Sequence, residues 1–268
     1  MKEIASIATT KYILDKYHLN ALKKYGQNFL IDVNVINKIV SCAKIDQDTA
    51  VIEVGPGIGA LTQILAKSSG KVISFEIDER FKPVYQEFLN QDNVEIIFGD
   101  FMEQDLAPII QELKQSYSKI CLVANLPYYI TTAIIEKVIL SIAGIDEMIV
   151  MVQKEVAVKM TSSYQNPLLL MIQDMGKIEY LFTVNKNVFM PTPHVDSAIL
   201  KISLEKQPDL KLYDVLNTCF RQRRKTILNN LKQKYDHAGE ILLQAGIENR
   251  KRSEELKLED FKNITKLV

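Results

Sequence analysis

Short apolar segments alternate with helix-like segments along the chain from about Val51 onward. The apolar segments are rich in Val and Ile and lack the alternation of a strand with one exposed face, so each is predicted to be a strand buried on both faces. Between them, apolar residues recur at the spacing of an amphipathic helix. This alternation predicts a doubly wound α/β sheet. The five predicted strands are AVIEVG, KVISFEI, VEIIFGD, KICLVAN and EMIVMVQ.

The pattern changes after the fifth predicted strand. KIEYLFTV and DSAILKISL are strand-like, and no helix of ordinary length fits in the segment NKNVFMPTPHV between them, so they are predicted to pair antiparallel at a sheet edge. Beyond LEKQPDL the apolar spacing becomes helical. We therefore predict a first domain over residues 1–205, which begins with a helical segment over 1–45, and a small all-helical domain over 206–268.

The composition permits a large buried core but gives no overall charge. Of the 268 residues, 47% are hydrophobic and 25% are charged, and Lys and Arg balance Asp and Glu at 33 each. Binding to nucleic acid therefore needs a local basic patch. From Glu205 onward there are 14 Lys and Arg against 10 Asp and Glu, and the segment RQRRK concentrates four of these positive charges.

The four cationic residues of RQRRK stand at the start of a predicted helix and are candidates for RNA phosphate contacts. Apolar Ile227, Leu228 and Leu231 follow at helical spacing, so the charges are expected to face outward from one side. An ordinary solvated charge run would have the same composition. The four candidates are Arg221, Arg223, Arg224 and Lys225.

Cysteine usage and the N-terminus favour a cytoplasmic protein. Cys42, Cys121 and Cys219 lie far apart among apolar neighbours, without the spacing of a metal site, and are predicted to be buried, reduced thiols. Reduced thiols are typical of a reducing compartment. The N-terminal segment has no apolar core long enough for a signal peptide, and no segment approaches the roughly 20 apolar residues of a membrane span. We expect neither a bound metal nor a membrane association.

A glycine-rich turn follows the first predicted strand. VIEVGPGIGALT places Gly55, Gly57 and Gly59 between that strand and a helix, where glycine lets the backbone approach a ligand closely. The spacing is G-x-G-x-G rather than the G-x-G-x-x-G of dinucleotide sites. Tight packing alone would also explain such a turn.

Acidic residues end the next two predicted strands. Glu76 follows Gly55 by 21 residues, where a carboxylate can accept from both hydroxyls of a ribose. Asp100 ends the third strand and could accept from the amino group of an adenine; a surface acid that caps the next helix is the alternative for such positions. Since the carboxyl ends of parallel strands share one sheet edge, the three features together predict a cofactor that contains adenosine without a pyrophosphate. S-adenosylmethionine fits this description.

The fourth predicted strand ends in NLPYYITT. The side-chain oxygen of Asn125 and the carbonyl of Leu126 can accept both hydrogens of an exocyclic aromatic amine, which would direct its lone pair at a methyl donor. Pro127 stiffens the turn, and Tyr128 offers a ring face to a flipped-out base. Catalysis would then come mainly from alignment and electrostatic support, without a general base. The alternative is a rigid turn with its aromatic rings in the core.

The motifs in order resemble the ribosomal RNA adenine dimethylases over nearly the whole chain. The resemblance implies a Rossmann-like class I S-adenosylmethionine-dependent methyltransferase domain with a small helical C-terminal domain. It implies dimethylation of N6 of two adjacent adenosines in the 3′-terminal hairpin of small-subunit (16S) rRNA, on the 30S particle, by a monomer with a role in small-subunit biogenesis. The motifs are KKYGQNFLID, VIEVGPGIGALT, FEID, FGD, NLPYYITT, MVQKEVA, FMPTPHVDSAI and FRQRRKTILNNL.

The resemblance also assigns roles to individual residues. Phe189 of VFMPTP matches the aromatic residue expected to cover the other face of the target base, although a core aromatic would suit the same position. Tyr129 departs from the pattern, because many members have Asn there. The segment YQNPLLLMIQ also differs from the usual one. The cofactor-binding residues implied by the motifs are Asn28, Leu30, Gly55, Glu76, Asp100 and Asn125.

Three alternatives compete with this assignment. A macrolide-resistance-type enzyme acting on large-subunit (23S) rRNA would usually carry an NIPY turn and lack the PxPxVDSAI and QRRKT blocks together. A DNA adenine methyltransferase would be expected to bring a larger target-recognition domain. A non-catalytic ribosome-assembly or transcription factor could share the fold, but intact Glu76, Asp100 and Asn125 argue against lost chemistry.

Overall fold

The computed structural model describes residues 2–141 and 144–268 as two compact units. The first contains the chain up to Thr161 together with Ile178–Ser203, and the second contains Ser162–Lys177 together with Leu204–Val268. The strands are β1 (Phe29–Leu30), β2 (Thr49–Val54), β3 (Lys71–Glu76), β4 (Val94–Phe98), β5 (Lys119–Asn125), β6 (Glu147–Gln153), β7 (Gly176–Val184), β8 (Phe189–Met190) and β9 (Ser197–Leu204). The α-helices are α1 (Ile7–Lys16), α2 (Val33–Ala43), α3 (Ala60–Ser68), α4 (Lys82–Phe88), α5 (Leu106–Leu113), α6 (Thr131–Leu140), α7 (Lys154–Met160), α8 (Pro167–Met175), α9 (Leu210–Phe220), α10 (Ile227–Leu231), α11 (Ala238–Gln244) and α12 (Leu258–Leu267).

A seven-stranded sheet forms the core of the first unit. Its order is β4-β3-β2-β5-β6-β9-β7, and β1 pairs antiparallel with β8 outside it. The strands from β4 to β6 run parallel, whereas β9 is antiparallel to β6. The predicted α/β fold class is confirmed, all five predicted strands are present, and the two later segments are neighbours at the sheet edge. The prediction that every strand is buried on both faces is wrong for β4, which is an edge strand and is only partly buried.

The order of the strands fixes where a ligand can enter. From the central strand β2 the chain moves to β3 and β4 on one side and then returns to β5 on the other. The crevice between β2 and β5 is thus a topological switch point, which is where open α/β sheets bind ligands at their carboxyl ends. All six residues of β2 are buried. A shift of its pairing register would therefore disrupt the packing of the core.

The second unit is built from α8 to α12, and α9 packs against α8, α10 and α12. Asp174 on α8 lies within 2.9 Å of the Lys206 ammonium and 2.7 Å of the Lys262 ammonium. Although burial opposes it, hydrogen bonding to these two lysines lowers the pKa of Asp174. The helix α8, which the sequence boundary at 205 assigned to the first domain, therefore belongs to the compact unit of the C-terminal helices.

The three cysteines are free; Cys121 and Cys219 are buried and Cys42 is half-buried. Within residues 2–141 and 144–268, no helix has the length and apolar content needed to cross a membrane. The same part of the chain contains no cluster of His, Cys, Asp and Glu side chains that could hold a metal ion.

Candidate active site

A cavity opens at the carboxyl ends of β2, β3 and β5, and its volume is about 1090 Å³ with the space open to solvent included. Nine of the sequence-predicted site residues line it, and they come from five separate stretches of the chain. They are Asn28, Leu30, Gly55, Glu76, Asp100, Asn125, Leu126, Pro127 and Tyr128.

The glycine turn forms one wall of the cavity. Gly57 has φ +59°, and a Cβ there would lie 3.3 Å from the Phe29 ring. Gly59 has φ +86°, and a Cβ there would lie 2.6 Å from a Leu89 methyl group. Both positions favour glycine because of their positive φ, and a side chain at Gly59 would also require Leu89 to shift. The turn delivers the chain directly into α3, which begins at Ala60.

Glu76 closes the turn from the end of β3. One carboxylate oxygen accepts from the backbone N–H of Gly57 at 3.0 Å, and the other accepts from the backbone N–H of Asp78 at 2.8 Å. Burial raises the pKa of Glu76 to about 7, while these two backbone donors oppose the shift. The Tyr85 hydroxyl donates to the Gly57 carbonyl at 2.7 Å and so fixes the turn from its other side. The carboxylate is thus held rigidly at the cavity wall.

The electrostatics of the cavity favour a cationic or neutral ligand. Three acids, Glu53, Glu76 and Asp100, line it, and no Lys, Arg or His is among the described residues that line it. A pyrophosphate would meet these carboxylates, and the amide of Gly57 that could cradle it already donates to Glu76. A sulfonium compound with a ribose and an adenine matches this set of donors and acceptors. The residues present therefore fit S-adenosylmethionine.

Asp100 and Asn28 are both fixed by local hydrogen bonds. Asp100 follows β4, and one of its carboxylate oxygens accepts from the backbone N–H of Met102 at 2.8 Å. The Asn28 side chain donates to the Gly26 carbonyl at 3.0 Å, which shapes the segment GQNFL around the cavity. These contacts hold the two side chains at the cavity without closing it.

The turn after β5 places its polar groups at the same edge. The Asn125 side-chain nitrogen donates to the Asn28 carbonyl at 3.4 Å, which orients the amide and leaves its oxygen as an acceptor. The buried Leu126 is anchored because its backbone N–H donates to the Met151 carbonyl at 3.1 Å. The Tyr128 hydroxyl lies 2.6 Å from the Ser197 hydroxyl, so the ring is tied to β9. Burial raises the pKa of Tyr128, whereas this hydrogen bond lowers it.

Phe189 does not line the cavity. Its side chain is only 2% exposed and belongs to the hydrophobic core, because β8 pairs with β1 in a register that places Phe189 opposite Leu30. The structure therefore places this ring in the core behind the segment GQNFL, and the base-covering role that the resemblance implied stays a prediction. The alternative of a core aromatic describes its position.

Two polar residues that the sequence interpretation did not select also shape the site. Glu53, in the middle of the buried strand β2, lines the cavity and accepts from the Thr62 and Ser74 hydroxyls, both at 2.7 Å. Gln27 accepts from the backbone N–H of Leu22 and donates to Asp78, both at 2.8 Å, which ties the segment before β1 to the end of β3. The position of Glu53 inside an apolar segment could have indicated a functional role from the sequence. No comparable local pattern distinguished Gln27.

Glu53 makes stability depend on pH. Burial raises its pKa from 4.5 to about 7, although the Thr62 and Ser74 hydroxyls oppose the shift. A raised folded-state pKa gives a contribution to stability that is complete below pH 4.5 and is lost as the pH rises through 7. We expect Glu53→Gln to gain stability relative to the wild type over this interval, by up to about 3 kcal/mol. Urea unfolding at a series of pH values measures the difference.

Glu112→Gln is the matched control, because its side chain is exposed in the folded protein. Its unfolding midpoint should follow that of the wild type across the same pH series. A constant difference between Glu53→Gln and the wild type from pH 5 to 8 would mean that Glu53 stays ionised in the fold.

The RQRRK residues lie elsewhere, in the second unit. They occupy the C-terminal end of α9 and the turn before α10, which begins only at Ile227, so they do not start a helix as expected. All four cationic side chains are exposed. Arg223 is engaged: its guanidinium hydrogen-bonds Glu254 and the Tyr164 hydroxyl and lies 4.7 Å from the centre of the Tyr164 ring.

Comparison with known proteins decides the family. Residues 18–268 match the family model described as ribosomal RNA adenine dimethylase. The chain belongs to this family. The resemblance drawn from the order of the motifs is therefore confirmed.

Members and structural relatives of the rRNA adenine dimethylases resemble the chain over most of its length. A ribosomal RNA small subunit methyltransferase A from Oceanobacillus iheyensis is 41% identical and covers 98% of this chain and 95% of its own. A dimethyladenosine transferase from Plasmodium falciparum has a TM-score of 0.70 at 26% identity, over 88% of this chain and 95% of its own. The 23S rRNA methyltransferase ErmE has a TM-score of 0.66 at 27% identity, over 89% of this chain and 98% of its own.

Proposed function

We propose that this protein is an S-adenosylmethionine-dependent methyltransferase that dimethylates N6 of two adjacent adenosines in the 3′-terminal hairpin of 16S rRNA. It acts in the cytoplasm as a monomer on the 30S particle and contributes to small-subunit biogenesis. One observation carries the proposal: a cavity whose charged lining residues, among those that the structure describes, are all acidic opens beside the oriented Asn125 amide at the end of β5. The 41% identity to a small-subunit methyltransferase supports the choice of RNA.

The cofactor would be held by residues at three strand ends. Glu76 would accept from the ribose hydroxyls, Asp100 would accept from the adenine amino group, and the glycine turn would let the backbone approach the cofactor. Asn28 and Leu30 bound the cavity from the GQNFL side. Bound there, S-adenosylmethionine supplies a methyl group activated by a positively charged sulfur. The acidic residues of the cavity favour that charge.

The protein's own residues contribute hydrogen-bond acceptors and align the adenine amino group. The lone pair of an adenine amino group is delocalised into its ring, which makes the nitrogen a weak nucleophile. The Asn125 side-chain oxygen and the Leu126 carbonyl accept its two hydrogens and so orient the lone pair toward the cavity. Pro127 fixes the spacing of these acceptors, and the Tyr128 ring, tied to Ser197, provides the stacking face for the flipped base. The proton released by the methylated nitrogen passes to water.

The basic turn would bind phosphates of the rRNA. Arg221, Arg224 and Lys225 are exposed and have no side-chain partner within the part of the chain that the structure describes, so their charges are available. Such contacts are independent of base sequence, and the choice of hairpin would come from RNA shape.

The test is incorporation of labelled methyl groups into purified ribosomal subunits from an undermethylated strain, followed by mapping of the modified nucleotides. We expect modification of N6 of adjacent adenosines in 30S particles and none in 50S particles. Transfer to 50S particles would favour a 23S rRNA methyltransferase, like ErmE. Binding to 30S particles without transfer would favour a non-catalytic assembly factor.

A further inference from the structure

Tyr129 is an exposed aromatic residue at the mouth of the cavity. Its side chain is 58% exposed and yet lines the cavity, directly after Tyr128, which is held by Ser197. Within the described residues the Tyr129 hydroxyl has no hydrogen-bond partner. Because more than half of its side chain is exposed, Tyr129 contributes little to the hydrophobic core. The residues near it indicate which kind of ligand it contacts.

The Tyr129 ring packs close to the backbone at Gly26. A Cβ at Gly26 would lie 3.5 Å and 3.7 Å from two carbons of the Tyr129 ring, so the ring packs against the chain at that residue. Gly26 has φ +62°, a conformation that favours glycine. The ring is therefore supported on the Gly26 side, while more than half of the side chain stays open to solvent.

Two lysines and a second aromatic ring directly precede Gly26 in the chain. Lys23 and Lys24 are exposed in the turn that ends at Gly26. The Lys24 ammonium lies 4.4 Å from the centre of the Tyr25 ring, and Tyr25 lines the cavity as well. Aromatic faces interleaved with lysines are the surface that binds unstacked nucleotides: the rings stack on bases and the ammonium groups approach phosphates.

We infer that Tyr129 stacks on the nucleotide next to the target base, with Lys23 and Lys24 near the adjoining phosphates. This inference rests on the proposed function. A base flipped into the cavity leaves its chain neighbour at the mouth, where Tyr129 is the exposed ring. Under that function the neighbour is the second adenosine of the pair, so Tyr129 holds one target while the other is methylated. Tyr129 is thus a positioning residue for the RNA.

The test compares Tyr129→Ala with Tyr129→Phe in methyl transfer to 30S particles. Loss of one base–aromatic stack should raise KM for the particle about 10-fold in Tyr129→Ala, within a range of roughly 5- to 150-fold. Tyr129→Phe should keep the wild-type KM because the ring remains. The affinity of either variant for S-adenosylmethionine, measured by calorimetry, should equal that of the wild type.

Tyr12→Ala is the matched control. Tyr12 is 44% exposed and also has lysines over its ring, Lys2 at 4.7 Å and Lys16 at 5.6 Å, but it does not line the cavity. Its KM should be unchanged.

Three outcomes would overturn the inference while the wild type still methylates: an unchanged KM in Tyr129→Ala, an equal loss in Tyr129→Phe, or a loss of cofactor affinity in Tyr129→Ala. Failure of the wild type to transfer any methyl group would instead contradict the proposed function itself.

Discussion

Asn125→Ala should lower methyl transfer to 30S particles by about 10²–10³-fold or more, with most of the cofactor affinity retained. The Asn125 amide is oriented by its bond to the Asn28 carbonyl, so its oxygen is a preorganised acceptor at the cavity edge. Removing one preorganised polar group from a reaction centre costs about 10²–10³ in kcat. Single-turnover methyl transfer and calorimetric titration with S-adenosylmethionine measure the two quantities separately.

Asn34→Ala is the matched control for this substitution. Asn34 is an exposed residue in the first turn of α2, and its backbone N–H, which the substitution keeps, donates to Asp32. Its turnover should equal that of the wild type. Normal turnover in Asn125→Ala would refute the proposed amine contacts, and a parallel loss of cofactor affinity would make Asn125 chiefly a cofactor-binding residue.

The positions of the cavity residues could be predicted because strand ends have a fixed meaning in a parallel sheet. Glu76, Asp100 and Asn125 are far apart along the chain, yet each stands at the end of an apolar segment, and parallel strands bring such ends to one edge. The glycine spacing also carried information. Its departure from the dinucleotide pattern agrees with a turn whose Gly57 amide donates to Glu76 and is not free for a phosphate.

Long-range pairing explains what the sequence could not reveal. Phe189 is buried because a two-residue strand pairs with Leu30, and neither strand is long enough to leave a periodic pattern. Arg223 and Glu254 are 31 residues apart, so the neutralising contact is invisible in the run RQRRK. The helix α8 joins the C-terminal unit through Asp174, whose lysine partners Lys206 and Lys262 lie further along the chain.

Neutralising the free cations of the basic turn should have the second large effect. In the triple variant Arg221→Ala, Arg224→Ala, Lys225→Ala, three counterion-releasing contacts are lost. The slope of log affinity against log salt for 30S particles should therefore become shallower by roughly 2 to 3, and affinity at 0.1 M salt should fall about 100-fold or more. Equilibrium binding to 30S particles across a salt series measures both. An unchanged slope would place the RNA contact elsewhere.

Arg223 supplies an internal control within the same turn. Because Glu254 already neutralises its guanidinium and Tyr164 holds it in place, Arg223→Ala should reduce the salt slope less than Arg224→Ala does. Glu254→Gln removes the competing carboxylate and should make the slope steeper than that of the wild type, because the Arg223 charge then becomes available to phosphate. Equal losses in Arg223→Ala and Arg224→Ala, together with no gain in Glu254→Gln, would mean that the ion pair opens when the particle binds.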